Sequence, residues 1–245
     1  MAGRKGRNVP IVVVVFALAA SSALIGGGVI GAFFRPPPRV LAVALAFASG
    51  ALIAALAFDL FEESFRSGGA YYAGGGLLAG ATVFIAVDSL LDRRMAAKGD
   101  DVSGFALLAA VVLDGIPENL ALGISLLASP SPTQALPLLI GIFASNLPEA
   151  LGGALGMRQQ GRSRGFAVGT WTATAALLAA AMLVGYLALE GLAPDSLSVL
   201  LAFAGGAVLA SLADTLMPQA YQDGGPLVAF ATVAGFFVAF VSSHG

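Results

Sequence analysis

Residues 114–119 read Asp114-Gly115-Ile116-Pro117-Glu118-Asn119, and residues 145–150 read Ser145-Asn146-Leu147-Pro148-Glu149-Ala150. Both phrases lie inside apolar runs long enough to cross a bilayer, which requires about 20 residues. A carboxylate at such a depth is energetically costly and usually serves a path for ions or protons. A proline there leaves the carbonyl four residues earlier without its helical hydrogen bond. Two such helices side by side could therefore bind a cation.

The composition indicates a membrane protein. Of 245 residues, 58% are hydrophobic and 11% are charged, whereas a soluble domain carries about 25% charged residues. The net charge of −2 argues against nucleic-acid binding, and cysteine is absent. The single histidine, His244, is the penultimate residue, so a catalytic centre built on histidine or cysteine is not expected inside the membrane. The apolar run after Arg7 is too long for a signal peptide.

The pattern predicts an all-α polytopic membrane protein that forms a single transmembrane domain over residues 1–245. The breaks between the apolar segments are too short to hold a folded domain outside the membrane. Eight segments qualify as transmembrane helices: 9–34, 39–61, 69–91, 103–129, 133–157, 165–189, 196–221 and 225–243.

Alternating the eight segments across a cell membrane places four Lys and Arg residues on one side and eight on the other. The richer side is predicted to be cytoplasmic, so both termini are expected outside. Segments two and seven are also related, because residues 46–65 share nine of twenty positions with residues 202–221. Their predicted directions are opposite, which is typical of inverted repeats in transporters. Helices 1–3 and 6–8 would then surround a central pair of helices 4 and 5.

The acids of helices 4 and 5 are predicted to meet near the middle of the membrane. Asp114 and Glu118 are four residues apart and share a helix face. Glu149 lies at a similar depth on the antiparallel neighbour, and no basic residue occurs between Lys98 and Arg158. A cation would neutralise this cluster; the alternative is a set of protonated carboxyl groups with a structural role. Ser145 and Asn146 either bind the cation or form hydrogen bonds between helices.

Two further acids are candidates for a cation pathway. Asp88 is predicted near the cytoplasmic end of helix 3, and Asp214 in the inner half of helix 7. The alternative for both is a solvated or capping acid at the membrane boundary.

At the two Pro-Glu phrases the chain resembles the ZIP family of divalent-metal transporters. That family has eight membrane helices with both ends outside, a His-Asn-x-Pro-Glu-Gly type motif in helix 4 and a related Pro-Glu motif in helix 5. The resemblance extends to the runs 46–50 and 202–206, in helices 2 and 7.

The chain departs from the family pattern at the metal ligands. The family usually has histidine at the place of Asp114, a ligand such as histidine or glutamine at that of Ser145, and often aspartate at that of Asn146. Residues 169–173 of helix 6 hold no acid, so the second metal site of some members is expected to be missing. The resemblance implies these ligands here: Asp114, Glu118, Asn146 and Glu149, with Ser145 as an additional candidate.

The combined prediction is a secondary carrier or slow channel-like permease that moves a divalent metal into the cytoplasm. The mechanism would be alternating access around a carboxylate site. An all-oxygen site suits Mn²⁺, but Zn²⁺ also accepts carboxylates and the family leans toward it. The metal is the transported substrate, and no cofactor is expected. The alternatives are a non-transporting sensor or scaffold and an intramembrane enzyme. The predicted partners are the metal ion and the lipid bilayer, and a homodimer is left open.

Overall fold

A computed structural model describes residues 10–96, 103–128, 131–188 and 192–244. Within these ranges every regular element is helical and no strand occurs. The nine α-helices of the described residues are α1 (Ile11–Phe33), α2 (Pro38–Ala55), α3 (Glu62–Ala96), α4 (Ser103–Ala128), α5 (Leu136–Gln159), α6 (Arg164–Ala188), α7 (Pro194–Ser211), α8 (Met217–Gly224) and α9 (Val228–His244). A short 3₁₀ helix, Pro132–Ala135, leads into α5.

Five of the described helical stretches are long and apolar enough to span a membrane, which agrees with the predicted polytopic membrane protein. The eight separate spans stay a prediction. The stretches are Ile11–Phe33, Pro38–Leu91, Pro132–Gln159, Arg164–Leu187 and Asp195–Gly224. The last predicted segment corresponds to a shorter apolar helix, Val228–Ser243.

The second of these stretches corrects one predicted boundary. Residues 62–68, expected as a break, are helical, and the helix bends only at Gly69. The ion pair between Arg66 and Glu62, 3.1 Å apart, joins positions one helical turn apart and supports this polar turn. The predicted second and third segments are thus two arms of one helical stretch.

Two π-helical turns occur at matching places in the chain. Leu56–Phe61 joins α2 to α3, and Leu212–Leu216 joins α7 to α8. The spacing between them is the 156 residues at which segments two and seven resemble each other. The bends that follow match as well, since Gly69 has φ 73° and ψ −178° and Gly225 has φ 71° and ψ −169°. Such positive φ values favour glycine, which is the residue present at both bends.

Close contacts between helix backbones also match at this spacing. α9 packs against α2, and α3 packs against α7. A methyl group added at Gly50 of α2 would overlap the carbonyl oxygen of Thr232, and one added at Gly206 of α7 would overlap that of Leu77. Glycine at these positions lets the paired helices approach closely, as small residues do in membrane bundles.

The central pair of α4 and α5 is enclosed by other helices. α1 packs against α5, α6 packs against α4, and both α2 and α7 contact the pair. At one end of the bundle the guanidinium of Arg164 lies over the ring of Phe33, 5.0 Å from its centroid. This contact joins the end of α1 to the start of α6, which were predicted on the same side of the membrane. The side that each end faces stays a prediction.

Candidate metal centre

Both central helices continue through a proline. Pro117 lies inside α4 and Pro148 inside α5. Neither can donate a backbone hydrogen bond, so the carbonyls of Leu113 and Ala144 lose their usual partners. The two phrases therefore provide backbone carbonyl oxygens without helical hydrogen bonds as well as acids, as their sequences predicted.

The three predicted acids are buried in the bundle. Asp114 is 5% exposed, Glu118 4% and Glu149 5%. The carboxyl group of Glu118 interacts electrostatically with those of Asp114 and Glu149. No lysine or arginine stands in the sequence of these two phrases, and an isolated buried charge is strongly unfavourable. The cluster therefore requires protons or a cation to balance it.

Asp114 has a partner that the sequence did not reveal. The hydroxyl of Ser211 donates a hydrogen bond of 2.7 Å to Oδ2 of Asp114. Ser211 is the last residue of α7 and is 2% exposed. The two residues are 97 positions apart, so no local pattern could have paired them. The bond ties the central acid to the helix that leads into the second π-helical turn.

The polar residues beside Glu149 differ in their partners. Ser145, 1% exposed, donates to the carbonyl of Ile142 at 3.1 Å within its own helix. Asn146 is equally buried, and its Nδ2 atom has no hydrogen-bond partner among the described residues. A buried donor without a partner costs about 1–3 kcal/mol. The Asn146 amide can bond to the water of a bound cation, while its oxygen can contact the cation itself.

Asn119, which ends the first phrase, is 1% exposed. Its Nδ2 atom donates to the carbonyl of Gly115 at 2.8 Å. This side chain satisfies a backbone carbonyl near Pro117, a structural role that the sequence pattern did not predict.

The acids are near one another but do not form a ready-made cage. Among the residues that the structure describes, no group of three His, Cys, Asp or Glu side chains is placed to hold a metal ion. A cation bound by all three acids would require their side chains to move closer together. The ligand set therefore stays a prediction.

The two predicted pathway acids occupy different environments. Asp88, on α3, is half-buried and interacts electrostatically with Asp114. Asp214 is exposed and lies in the π-helical turn Leu212–Leu216. Asp88 thus lies within electrostatic range of Asp114, whereas no described bond joins Asp214 to the three central acids.

Helix α6 brings a tryptophan to the centre instead of an acid. Trp171 is fully buried, and its ring lies where a methyl group added at Gly153 or Gly28 would overlap it. Gly153 is one helical turn after Glu149. The indole Nε1 has no hydrogen-bond partner among the described residues. The ring belongs to an apolar cluster with Val111, Ala150 and Ala154, so α6 contributes packing to the two central helices.

The chain is 32% identical over 156 residues to the zinc transporter GufA of Myxococcus xanthus. The alignment covers 61% of this chain and 61% of that protein. No family model matches the chain. The relative is named as a transporter, which agrees with the prediction of a metal transporter rather than an enzyme.

The chemistry of the assembled groups is that of hard oxygen donors. Carboxylates, an amide oxygen and loosened carbonyls are the ligands that Mg²⁺, Ca²⁺ and Mn²⁺ prefer. Zn²⁺ also binds carboxylates, at about 2.0–2.2 Å. Groups of this kind can bind a divalent cation or exchange it for protons.

Proposed function

We propose that this protein transports a divalent metal cation, which binds between α4 and α5 through Asp114, Glu118, Glu149 and Asn146, with Ser145 as an additional ligand. The observation that carries the proposal is the burial of three interacting acids in a stretch that has no basic residue between Lys98 and Arg158. The similarity to a protein named as a zinc transporter supports the same class of substrate.

Both Zn²⁺ and Mn²⁺ are proposed substrates. The relative's name favours Zn²⁺, whereas the absence of histidine and cysteine from the proposed ligands favours the harder Mn²⁺. Measuring both ions under the same conditions decides between them.

The proposed mechanism is alternating access in an eight-helix bundle with both termini outside the cell. Its two moving parts would be helices 1–3 and 6–8 of the inverted repeat, and the metal would move into the cytoplasm. Support comes from the matched π-helical turns and the matched bends at Gly69 and Gly225. Repeats of this kind surround a mid-membrane site in many transporters.

Uptake into liposomes tests the proposal. The purified protein is reconstituted around a fluorescent metal indicator, and Zn²⁺ or Mn²⁺ is added outside. Glu118→Gln and Glu149→Gln keep the size of the side chain and remove its charge, so uptake should fall at least about tenfold, equivalent to about 1.4 kcal/mol. Asp223→Asn is the control, because Asp223 is exposed on α8. Normal uptake by both glutamine variants would contradict the proposal.

The alternative function is a non-transporting metal sensor or scaffold. Among the described residues, no three acids are placed to hold a metal ion, and this observation favours the alternative. Calorimetric titration with Zn²⁺, Mn²⁺ and Cd²⁺, combined with uptake, separates the cases. Saturable binding without uptake would support a sensor, and no binding at all would support a scaffold.

A further inference from the structure

Arginines are concentrated at the end of the bundle where α1 ends and α6 begins. They stand in or beside the α1–α2 and α5–α6 breaks, at Arg35, Arg39, Arg158, Arg162 and Arg164. No acid occurs in residues 1–58 or 150–189, which contain both breaks. The charge of these two stretches is therefore wholly positive.

Other charges at this end do not cancel the arginines. A carbon added at Gly224 would lie 2.9 Å from Cβ of Ala42, so the exposed Asp223 lies near the first turns of α2 and offsets one charge. The break at 92–101, predicted on the same side and partly outside the described residues, holds three basic and three acidic residues. Helices α2 and α6 begin at this end with no acid in their first turns, so the positive ends of their dipoles add to the excess.

The α5–α6 break presents its arginines on a fixed turn. Gly161 has φ 81°, and its N–H donates to the carbonyl of Arg158 at 3.1 Å. The N–H of Arg162 donates to the carbonyl of Met157 at 3.0 Å. These are the two hydrogen bonds of a Schellman motif. The guanidinium of Arg158 also donates to the carbonyl of Arg162, so the backbone of this turn is held on both sides.

The α1–α2 break is equally restricted and lies beside the first. Residues 36–38 are prolines that separate Arg35 from Arg39, and a proline fixes φ near −65°. The guanidinium of Arg164 reaches this break, since it lies 5.0 Å from the centroid of the Phe33 ring. Arg35 follows Phe33 by two residues, so their Cα atoms are at most about 7 Å apart. All three arginines are exposed, and they share one surface.

Aromatic rings border this surface. Phe33, Phe34 and Phe166 are all exposed, and α1 and α6 are apolar enough to span a membrane. Exposed aromatic rings at the ends of such helices are typical of the membrane interface, where the phosphates of lipids lie. A guanidinium binds a phosphate through two parallel hydrogen bonds. A phospholipid can therefore place its acyl chains along the rings and its headgroup on the arginines.

We propose that Arg35, Arg39 and Arg164 bind the headgroup of an anionic phospholipid in the leaflet that this end of the bundle faces. The site is independent of the proposed metal transport, because none of the proposed metal ligands takes part. Bound lipid would hold the ends of α1, α2 and α6 together and stabilise the folded protein. Salt should weaken the preference for anionic lipid.

Native mass spectrometry of the full chain, delipidated in a neutral detergent, tests the site by counting bound lipids. Phosphatidylglycerol and phosphatidylcholine with the same acyl chains are titrated separately and without metal. The wild type should bind phosphatidylglycerol at least about tenfold more tightly. Arg35→Gln and Arg164→Gln should each weaken that binding about fivefold, the effect of one basic residue at an anionic surface, and together at least about tenfold. Binding of phosphatidylcholine should not change.

Arg66→Gln is the matched control, because it removes the same charge near the start of α3, at the opposite end of α2 from Arg39. It should change the affinity for phosphatidylglycerol less than about twofold. Thermal unfolding in lipid-free detergent checks that each variant is folded, and Arg39→Gln provides a further variant with the same expected loss.

Three results would overturn the inference: equal binding of the two lipids by the wild type, wild-type affinity in Arg35→Gln/Arg164→Gln, or an equal loss in Arg66→Gln. Glycerol 3-phosphate, added as a competitor, distinguishes a lipid from a soluble phosphate. Displacement of phosphatidylglycerol by an equimolar amount of this competitor would assign the arginines to a soluble phosphate and would also overturn the inference.

Discussion

The hydrogen bond from Ser211 to Asp114 should set how well the central site competes for cations. A cation requires Asp114 to be ionised, and the 2.7 Å bond from the Ser211 hydroxyl stabilises that ionised form. Ser211→Ala removes the donor and leaves the rest of α7 unchanged. The cation should then bind more weakly, and protons should compete with it more effectively.

The size of this effect can be bracketed. Hydrogen bonds to charged groups contribute about 1.5–3 kcal/mol in proteins, whereas bonds between membrane helices average about 0.6 kcal/mol. With 1.4 kcal/mol per factor of ten, the lower value corresponds to about threefold weaker binding. The burial of both groups favours the higher range, so we expect about tenfold.

Calorimetric titration and liposome uptake measure the change, with Ser198→Ala as the matched control. Ser198 is also buried on α7 and hydrogen-bonded, but its partner is Ser64. Equal effects of the two alanine variants would show that the loss comes from general damage to α7. Unchanged cation binding in Ser211→Ala would refute the reasoning for Asp114.

Three further predictions concern protons, packing and fluorescence. Acidifying the medium should raise the cation concentration for half-maximal uptake, because protons compete for the carboxylates; a pH-independent value would contradict a carboxylate site. Gly206→Val should lower the free energy of unfolding by about 1–3 kcal/mol, measured by thermal unfolding, because Gly206 touches the backbone at Leu77. Gly74→Val is the control and should be tolerated, because no atom lies within 4 Å of a carbon added at Gly74. Trp171 is the single tryptophan of the chain and packs beside Gly153, so saturating Mn²⁺ should change the protein's fluorescence, and Glu149→Gln should abolish that change.

The central acids were predictable because a carboxylate contradicts the apolar pattern of the helix around it. A carboxylate and a proline within an apolar helix have few explanations other than function, and the structure buries Asp114, Glu118 and Glu149 as expected. Spacing by four residues along one helix also placed Asp114 and Glu118 on a shared face.

Contacts between residues far apart in the sequence could not be predicted from such local patterns. Ser211 is one of many small residues in α7, and only packing against α4 distinguishes it. The prediction of a break at 62–68 was wrong because these polar residues were interpreted as the end of a helix. An ion pair between Glu62 and Arg66, which are one turn apart, favours helix there. Each π-helical turn is mostly apolar and contains one aspartate, Asp59 or Asp214, so hydropathy could not distinguish it from the α-helix around it.

The first π-helical turn gives the chain a place where its length can change at little cost. A π turn holds one residue more than an α turn, so Leu56–Phe61 absorbs an extra residue between α2 and α3. Deleting one residue from this turn would restore a regular α-helix, and the segment beyond, beginning at Glu62, would keep nearly the same orientation. Deleting one residue from the regular part of α2 would instead rotate everything beyond it by about 100°. The effect of losing a single codon thus depends on whether it lies inside the π turn.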